Sequence, residues 1–176
     1  YVVSSVSGAW RSSVRSEAES YLPGHMASTL KKAPMINELA LIKGDGVKGK
    51  VVYTNACAVC HMVVAEGKDF GPKLTEIGSK YGKDGLLNAI VHPSDGISFG
   101  YEGWIIKMND GATMTGIVSS KTASDIDIKL PGGTTQRIKT ANIASIKEMK
   151  QSMMPEGLYQ NMSNEDLANL LAYLEG

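Results

Sequence analysis

The chain has 176 residues, with 18 Lys and Arg against 18 Asp and Glu, so its formal net charge is zero. That balance gives a nucleic-acid partner no electrostatic support, and no apolar run reaches the ~20 residues that a bilayer-spanning helix needs. A hydrophobic content of 43% is enough for a packed core, which fits one domain of ordinary size or a small domain carrying additions.

Residues 1–44 read as a helical N-terminal extension. Ser12 to Leu22 is polar with scattered apolar positions and is broken by Pro23-Gly24. A second helical stretch runs from His25 to Lys32, and a short third one follows Pro34. The chain begins at Tyr1 without an initiator methionine, a charged n-region or an apolar h-region. A mature form, or a piece of a longer protein, is therefore expected.

Asp45 is the expected N-cap of a short helix in which Val47, Val51 and Val52 mark the apolar positions. This helix leads into Cys57-Ala58-Val59-Cys60-His61. Two cysteines spaced by two residues, with histidine directly after, form the attachment signature of c-type haem. The two thiols take the two vinyl groups as thioethers, and the next residue offers an imidazole to the iron. Competing readings are a redox dithiol, half of a zinc site and a disulfide. The first lacks a strand–helix–strand setting. The second lacks a further cysteine, because Cys57 and Cys60 are the only two in the chain, and structural zinc takes four ligands. A disulfide across so short a loop is disfavoured. Covalent attachment of this cofactor belongs to oxidising compartments, so the expected location is periplasmic or otherwise exported.

A turn-rich loop, Glu66 to Pro72, follows, with Gly67, Gly71 and Gly78 expected to serve turns past the cofactor edge. Leu86, Leu87, Ile90 and Val91 mark another helix, capped near Asp84 and ended by His92-Pro93. From Gly100 the period changes to two. Trp104, Ile106 and Met108 alternate with Gly103, Ile105 and Lys107, and Asn109-Asp110-Gly111 signals a hairpin. Thr113 to Ser120, the alternation at Ile126, Ile128 and Leu130, Thr135 to Lys139, and Ile143 to Lys147 complete an antiparallel meander of about fifty residues. Ser163 with Asp166 forms a capping box before a helix whose apolar face is Leu167, Leu170, Leu171 and Leu174.

A six-coordinate haem needs a second ligand opposite His61. The candidates are the nine methionines, His25 and His92. Met154 stands out, because Pro155 holds it extended on a segment between the strands and the last helix. Met153 is the fallback. Met108 and Met114, in strands, suit core packing better, and His92 at a helix end suits hydrogen bonding to the last carbonyls.

The run Gly49-Lys50-Val51-Val52-Tyr53, then Cys57-x-x-Cys60-His61, Gly71-Pro72-x-Leu74, Met154-Pro155 and a leucine-rich helix ending in Tyr173-Leu174 resembles class I cytochrome c. More narrowly, it is similar to the haem-binding domain type found at the C-terminus of large exported bacterial proteins, often beside dehydrogenase-like propellers or helical repeats. Members of that type carry a strand-rich insertion before the distal methionine. Gly100-Tyr101-Glu102, Asp110-Gly111 and Ser152 to Leu158 match it, and the resemblance covers about residues 45–176.

The resemblance implies one covalently bound haem c, with Cys57 and Cys60 as thioether anchors, His61 as proximal and Met154 as distal ligand. The Pro72 carbonyl would fix the imidazole, and Leu74 with the final helix would wall the haem. The expected fold is mainly α: a cytochrome c-like helical haem domain (residues 45–99 and 148–176) with an inserted small antiparallel β subdomain (residues 100–147). The expected function is outer-sphere electron transfer rather than enzymatic catalysis. Electrons would come from a dehydrogenase and pass to a downstream cytochrome or oxidase, with no nucleic acid and no membrane span. The alternative is a haem with an open or displaceable sixth ligand, acting as a peroxidase or a gas or redox sensor.

Overall fold

A computed structural model describes residues 33–176. The polar stretch at Ser12–Leu22, the helical stretch at His25–Lys32 and the ligand candidate His25 lie outside the described residues.

Among the described residues, α1 (Ile36–Ala40) precedes α2 (Gly46–Ala56). Asp45 caps α2 as expected, its Oδ1 accepting the N–H of Val47 at 2.8 Å and of Lys48 at 3.3 Å. Of the three valines only Val52 packs on the helical core. Val47 and Val51 are 81% and 59% exposed, whereas Gly49 and Tyr53 are buried. The C-terminal helix decides this. A Cβ on Gly49 would run into the backbone carbonyl of Asn169, with the carbonyl carbon at 2.6 Å and the Tyr173 Cβ at 2.7 Å. Only glycine lets the two backbones approach this closely, so Gly49 marks the crossing point and Tyr53, one turn on, shares its face.

That partner helix is α5 (Asn164–Glu175), and the capping box read from the sequence is present. Ser163 Oγ accepts the Asp166 N–H at 3.0 Å, and Asp166 Oδ2 accepts the Ser163 N–H at 2.9 Å. Leu167, Leu170, Leu171 and Leu174 are buried with Tyr53 and with Leu86, Leu87, Ile90 and Val91 of α4 (Lys83–Val91). Leu39 of α1 is 3% exposed in the same cluster, so this part of the 1–44 segment packs on the helical core. Asn169, the buried polar residue of α5, is satisfied because its Oδ1 accepts the Asp45 N–H at 2.7 Å. Two small elements lie between α2 and α4: a hairpin of β1 (Met62–Val63) with β2 (Glu66–Gly67), and the single-turn α3 (Ile77–Lys80).

The strands read from the period-two pattern are β3 (Gly103–Met108), β4 (Thr113–Lys121), β5 (Asp125–Lys129), β6 (Thr135–Lys139) and β7 (Ile143–Glu148). They form one antiparallel sheet in the order β6-β5-β4-β3-β7. Gly111 in the Asn109-Asp110-Gly111 turn has φ of 90°, a value open to glycine at little cost. Consecutive strands β6 and β7 sit at opposite edges, joined by a 3-10 turn of three residues, Thr140–Asn142. A flat five-stranded sheet is about 19 Å across at ~4.8 Å per strand. The four steps from Lys139 to Ile143 reach at most about 14 Å. The sheet must therefore curl, which the register shifts at Lys107/Met108 and Val118/Ser120 accommodate. The 3-10 turn ties both ends: Thr140 N–H donates to Ser124 O and Asn109 N–H donates to Asn142 O. Inside the curl Ile106, Ile126, Ile128 and Ile138 form a second core, separate from the helical one.

The expectation of a mainly α fold is overturned by the described residues. Among the described residues 33% are helical and 24% are in strands, with the five-stranded sheet as a major element. The helices are short, and the fifty-residue meander builds its own isoleucine core rather than decorating a helical one, so the class is mixed α and β.

Candidate functional site

Helix α2 ends at Ala56, and Cys57 is its C-cap, its N–H donating to Tyr53 O. The chain then turns tightly, because the Cys57 carbonyl accepts both the Cys60 N–H at 3.0 Å and the His61 N–H at 2.9 Å. Both thiols are free and half-buried. Burial, with a smaller contribution from Cys60, pushes the Cys57 thiol up to about 11, and burial also raises Cys60. Neither is the lowered thiol expected of a redox dithiol nucleophile.

Residues 68–74 run back alongside this turn. Lys68 N–H donates to Ala58 O, Gly71 N–H to Cys60 O at 2.6 Å, and Leu74 N–H to Met62 O. This path brings the Pro72 carbonyl to His61 Nδ1, 2.7 Å away. A carbonyl can only accept, so Nδ1 carries the proton and Nε2 is left with its lone pair. Among the described residues Nε2 takes no hydrogen bond. Burial pulls the imidazole pKa down, partly opposed by the Pro72 bond, which keeps the ring neutral as a metal ligand requires. Gly71 lies flat against the ring: a Cβ there would be 2.6 Å from Cε1 and 2.9 Å from Nδ1. Two half-buried thiols beside a neutral imidazole with one free nitrogen suit the attachment and proximal ligation of haem c.

Tyr53 holds this turn from behind, a role the sequence reading did not assign. It is fully buried. Its hydroxyl shares one proton between the carbonyls of His61 (2.8 Å) and Glu66 (2.9 Å), and accepts the Val63 N–H at 2.9 Å. Its ring packs on Tyr173, centroids 5.4 Å apart. The signal available in the sequence was its position one turn after Gly49, on the face that must meet α5.

Met154 is half-buried and packs on the helical core, as do Cys57, Ala58 and Leu74. Its N–H donates to Ser152 Oγ at 3.1 Å. Met153 turns elsewhere, its Cγ and Sδ lying against Gly103 at the start of β3. His92 is the C-cap of α4, with its N–H on Asn88 O. Gly67, with φ of 102°, closes the tight β1–β2 hairpin and abuts the His61 carbonyl, whereas Gly78, inside α3, serves a close approach to Leu174 and Glu175 of α5.

Residues 46–129 match the family model described as "Cytochrome c". This span of the chain is therefore similar to cytochrome c. The matched span takes in the whole Cys57-to-Pro72 arrangement and runs on into β5. Over 58 residues the chain is also 28% identical to a "Cytochrome c-553-like" protein of Synechocystis sp., covering 33% of this chain and 54% of the relative. It thus spans about half the length of that curated relative. The cofactor of such a domain is covalently bound haem c, and Cys57 and Cys60 stand in the spacing that attachment requires. The similarity points to haem-based electron transfer. No helix among the described residues is long and apolar enough to cross a membrane.

Proposed function

We propose that this chain is a single-haem electron-transfer module in which Cys57 and Cys60 anchor haem c, His61 is the proximal ligand and Met154 the distal one. When bound, haem c supplies a one-electron Fe(III)/Fe(II) couple. The chain's own residues attach, orient and enclose it. His61 offers the Nε2 lone pair while its one ring N–H, on Nδ1, donates to the Pro72 carbonyl, which fixes the tautomer and raises ligand basicity. A thioether from Met154 favours the reduced metal and raises the potential. Leu74 and the leucine face of α5 keep water out. The observation that carries the reading is the 2.7 Å contact between His61 Nδ1 and the Pro72 carbonyl inside a CxxCH turn. The choice of Met154 over Met153 is supported by its packing on the cluster that Cys57 and Leu74 also touch.

In this reading residues 45–99 and 148–176 are the haem domain and 100–147 a β insertion, of the type carried at the C-terminus of large exported bacterial proteins. Residues 1–44 are an extension. Electrons arrive from a dehydrogenase and leave to a downstream cytochrome or oxidase in the periplasm. The test is a reduced-minus-oxidised visible spectrum with an alkaline pyridine assay, repeated on Met154→Ala. Wild type should show one haem c and the far-red sulfur-to-iron band, and the variant should lose that band. A colourless matured protein, or pigment extracted by acidified organic solvent, overturns covalent attachment. An unchanged band in Met154→Ala removes that residue from the site. Immediate carbon monoxide binding by reduced wild type would instead favour the peroxidase or sensor alternative.

A further inference from the structure

Both segments that present the proposed ligands are held by the same sheet. On the His61 side, Lys129 at the end of β5 donates from Nζ to Asp69 Oδ2 at 3.1 Å, with only 17% of its side chain exposed. The turn after β5 closes on the same residue, since a Cβ on Gly133 would sit 3.5 Å from the Asp69 backbone N and O. Asp69 opens the four-residue stretch through Phe70, which is 2% exposed, to Gly71 and Pro72. These last two are the residues that touch and hydrogen-bond the His61 ring.

On the Met154 side, Gly103 at the start of β3 is buried against two thioethers. A Cβ there would lie 3.0 Å from Met149 Sδ and 3.1 Å from Met153 Cγ and Sδ. The Gly103 carbonyl accepts the Met149 N–H at 2.7 Å. The residues that follow have little slack, because Ser152 N–H donates to Ser94 Oγ at 3.2 Å and Met154 N–H to Ser152 Oγ at 3.1 Å. β3 and β5 are joined through β4 in one hydrogen-bonded ladder, so the two anchor points are fixed relative to each other.

We propose that the curled sheet is a positioning frame for the axial pair, with Lys129 setting the loop behind His61 and Gly103 setting the segment that carries Met154. The proposal rests on the reading of His61 and Met154 as ligands. It makes Lys129 and Gly103 positioning residues and explains why a sheet with its own core is retained between them. A frame held at two points resists separation of the ligand segments, whereas either segment alone is a loop whose excursions would leave the sixth position open part of the time.

The test uses the matured holoprotein. Gly103→Ala presses on the far ends of two flexible side chains, so the strand stays and Met153 moves. The far-red band should weaken, and carbon monoxide binding by the reduced form should accelerate by about ten-fold as the open fraction rises, while the urea midpoint stays near wild type. Lys129→Met keeps the aliphatic stem and removes the charge. It should displace the hyperfine-shifted His61 resonances and move the reduction potential, and Lys129→Arg should restore both. Arg137→Gln alters the sheet's exposed Asp127 pair, touches neither ligand segment and should change none of these readings. Wild-type readings in both Gly103→Ala and Lys129→Met overturn the frame, and so does an Arg137→Gln effect as large as theirs. If wild type itself lacks the far-red band, the Met154 ligation has failed instead. The Lys129 arm, read on His61 alone, then decides: displaced resonances uphold the frame on the proximal side, and unmoved ones overturn it.

Discussion

Replacing Tyr53 with phenylalanine removes one oxygen from behind the haem-attachment turn and leaves the ring where it is. Three backbone groups depend on that oxygen: the carbonyls of His61 and Glu66, which share its proton, and the N–H of Val63. With one proton to give, the hydroxyl supplies the equivalent of one donated and one accepted bond, so two groups lose a partner. Each buried group left unpaired costs about 1–3 kcal/mol. These are only partly buried, so the lower half of that range applies and the expected loss for the two groups is about 2–4 kcal/mol. The aromatic contact with Tyr173 at 5.4 Å survives and contributes nothing to the difference. Urea unfolding of the holoprotein, followed by far-ultraviolet circular dichroism, should show the midpoint falling by about 1–2 M at an m-value of ~2 kcal/mol per M, with the slope unchanged. A loss below about 0.5 kcal/mol would mean that water takes over the hydroxyl's bonds, and the assignment of Tyr53 as the support of this turn would fall.

Gly49→Ala adds a methyl that must displace the Asn169 backbone rather than a flexible side chain. The gain in helix propensity, about 1 kcal/mol, is outweighed by separation of two helix backbones, so a net loss of about 2–3 kcal/mol is expected in the same urea assay; neutrality would contradict the crossing described. Gly71→Ala places its Cβ 2.6 Å from His61 Cε1. The ring must tilt away from Pro72, which should show as displaced His61 resonances in the matured protein, and unmoved resonances would refute the contact. The Arg137 guanidinium holds the Asp127 carboxyl below the usual aspartate range, chiefly by their hydrogen bonds. A depressed folded value means that the pair's stabilisation is present above the usual range and is lost as pH falls through the folded value. Asp127→Asn should flatten stability against pH in that acid window only, and an Asp127 titrating normally by nuclear magnetic resonance would disprove the pairing.

Features whose cause lies within a few residues were legible in the sequence. The Cys57-to-His61 turn, the Asp45 cap, the Ser163–Asp166 capping box, the glycine turn after Asn109 and the alternation through Ile126 and Ile128 all depend on local hydrogen bonds or side-chain period, which a linear string preserves. Features that depend on an encounter between distant segments were not. Val47 and Val51 carry the hydrophobicity of α2, yet Gly49 and Tyr53 are buried, because α5 requires a residue without a side chain at the crossing. The strands themselves were predictable. Their weight in the fold was not, because whether a meander decorates a helical core or builds its own depends on how β6 and β7 close across the sheet. Lys129 reads as one more solvated charge until tertiary structure sets it on Asp69, sixty positions away in the chain. The sequence by itself determined the chemistry, since two thiols and an imidazole at fixed spacing admit few cofactors. The tertiary structure alone decided which faces meet and what holds the imidazole in place, because those contacts join residues whose separation along the chain carries no information about their distance in space.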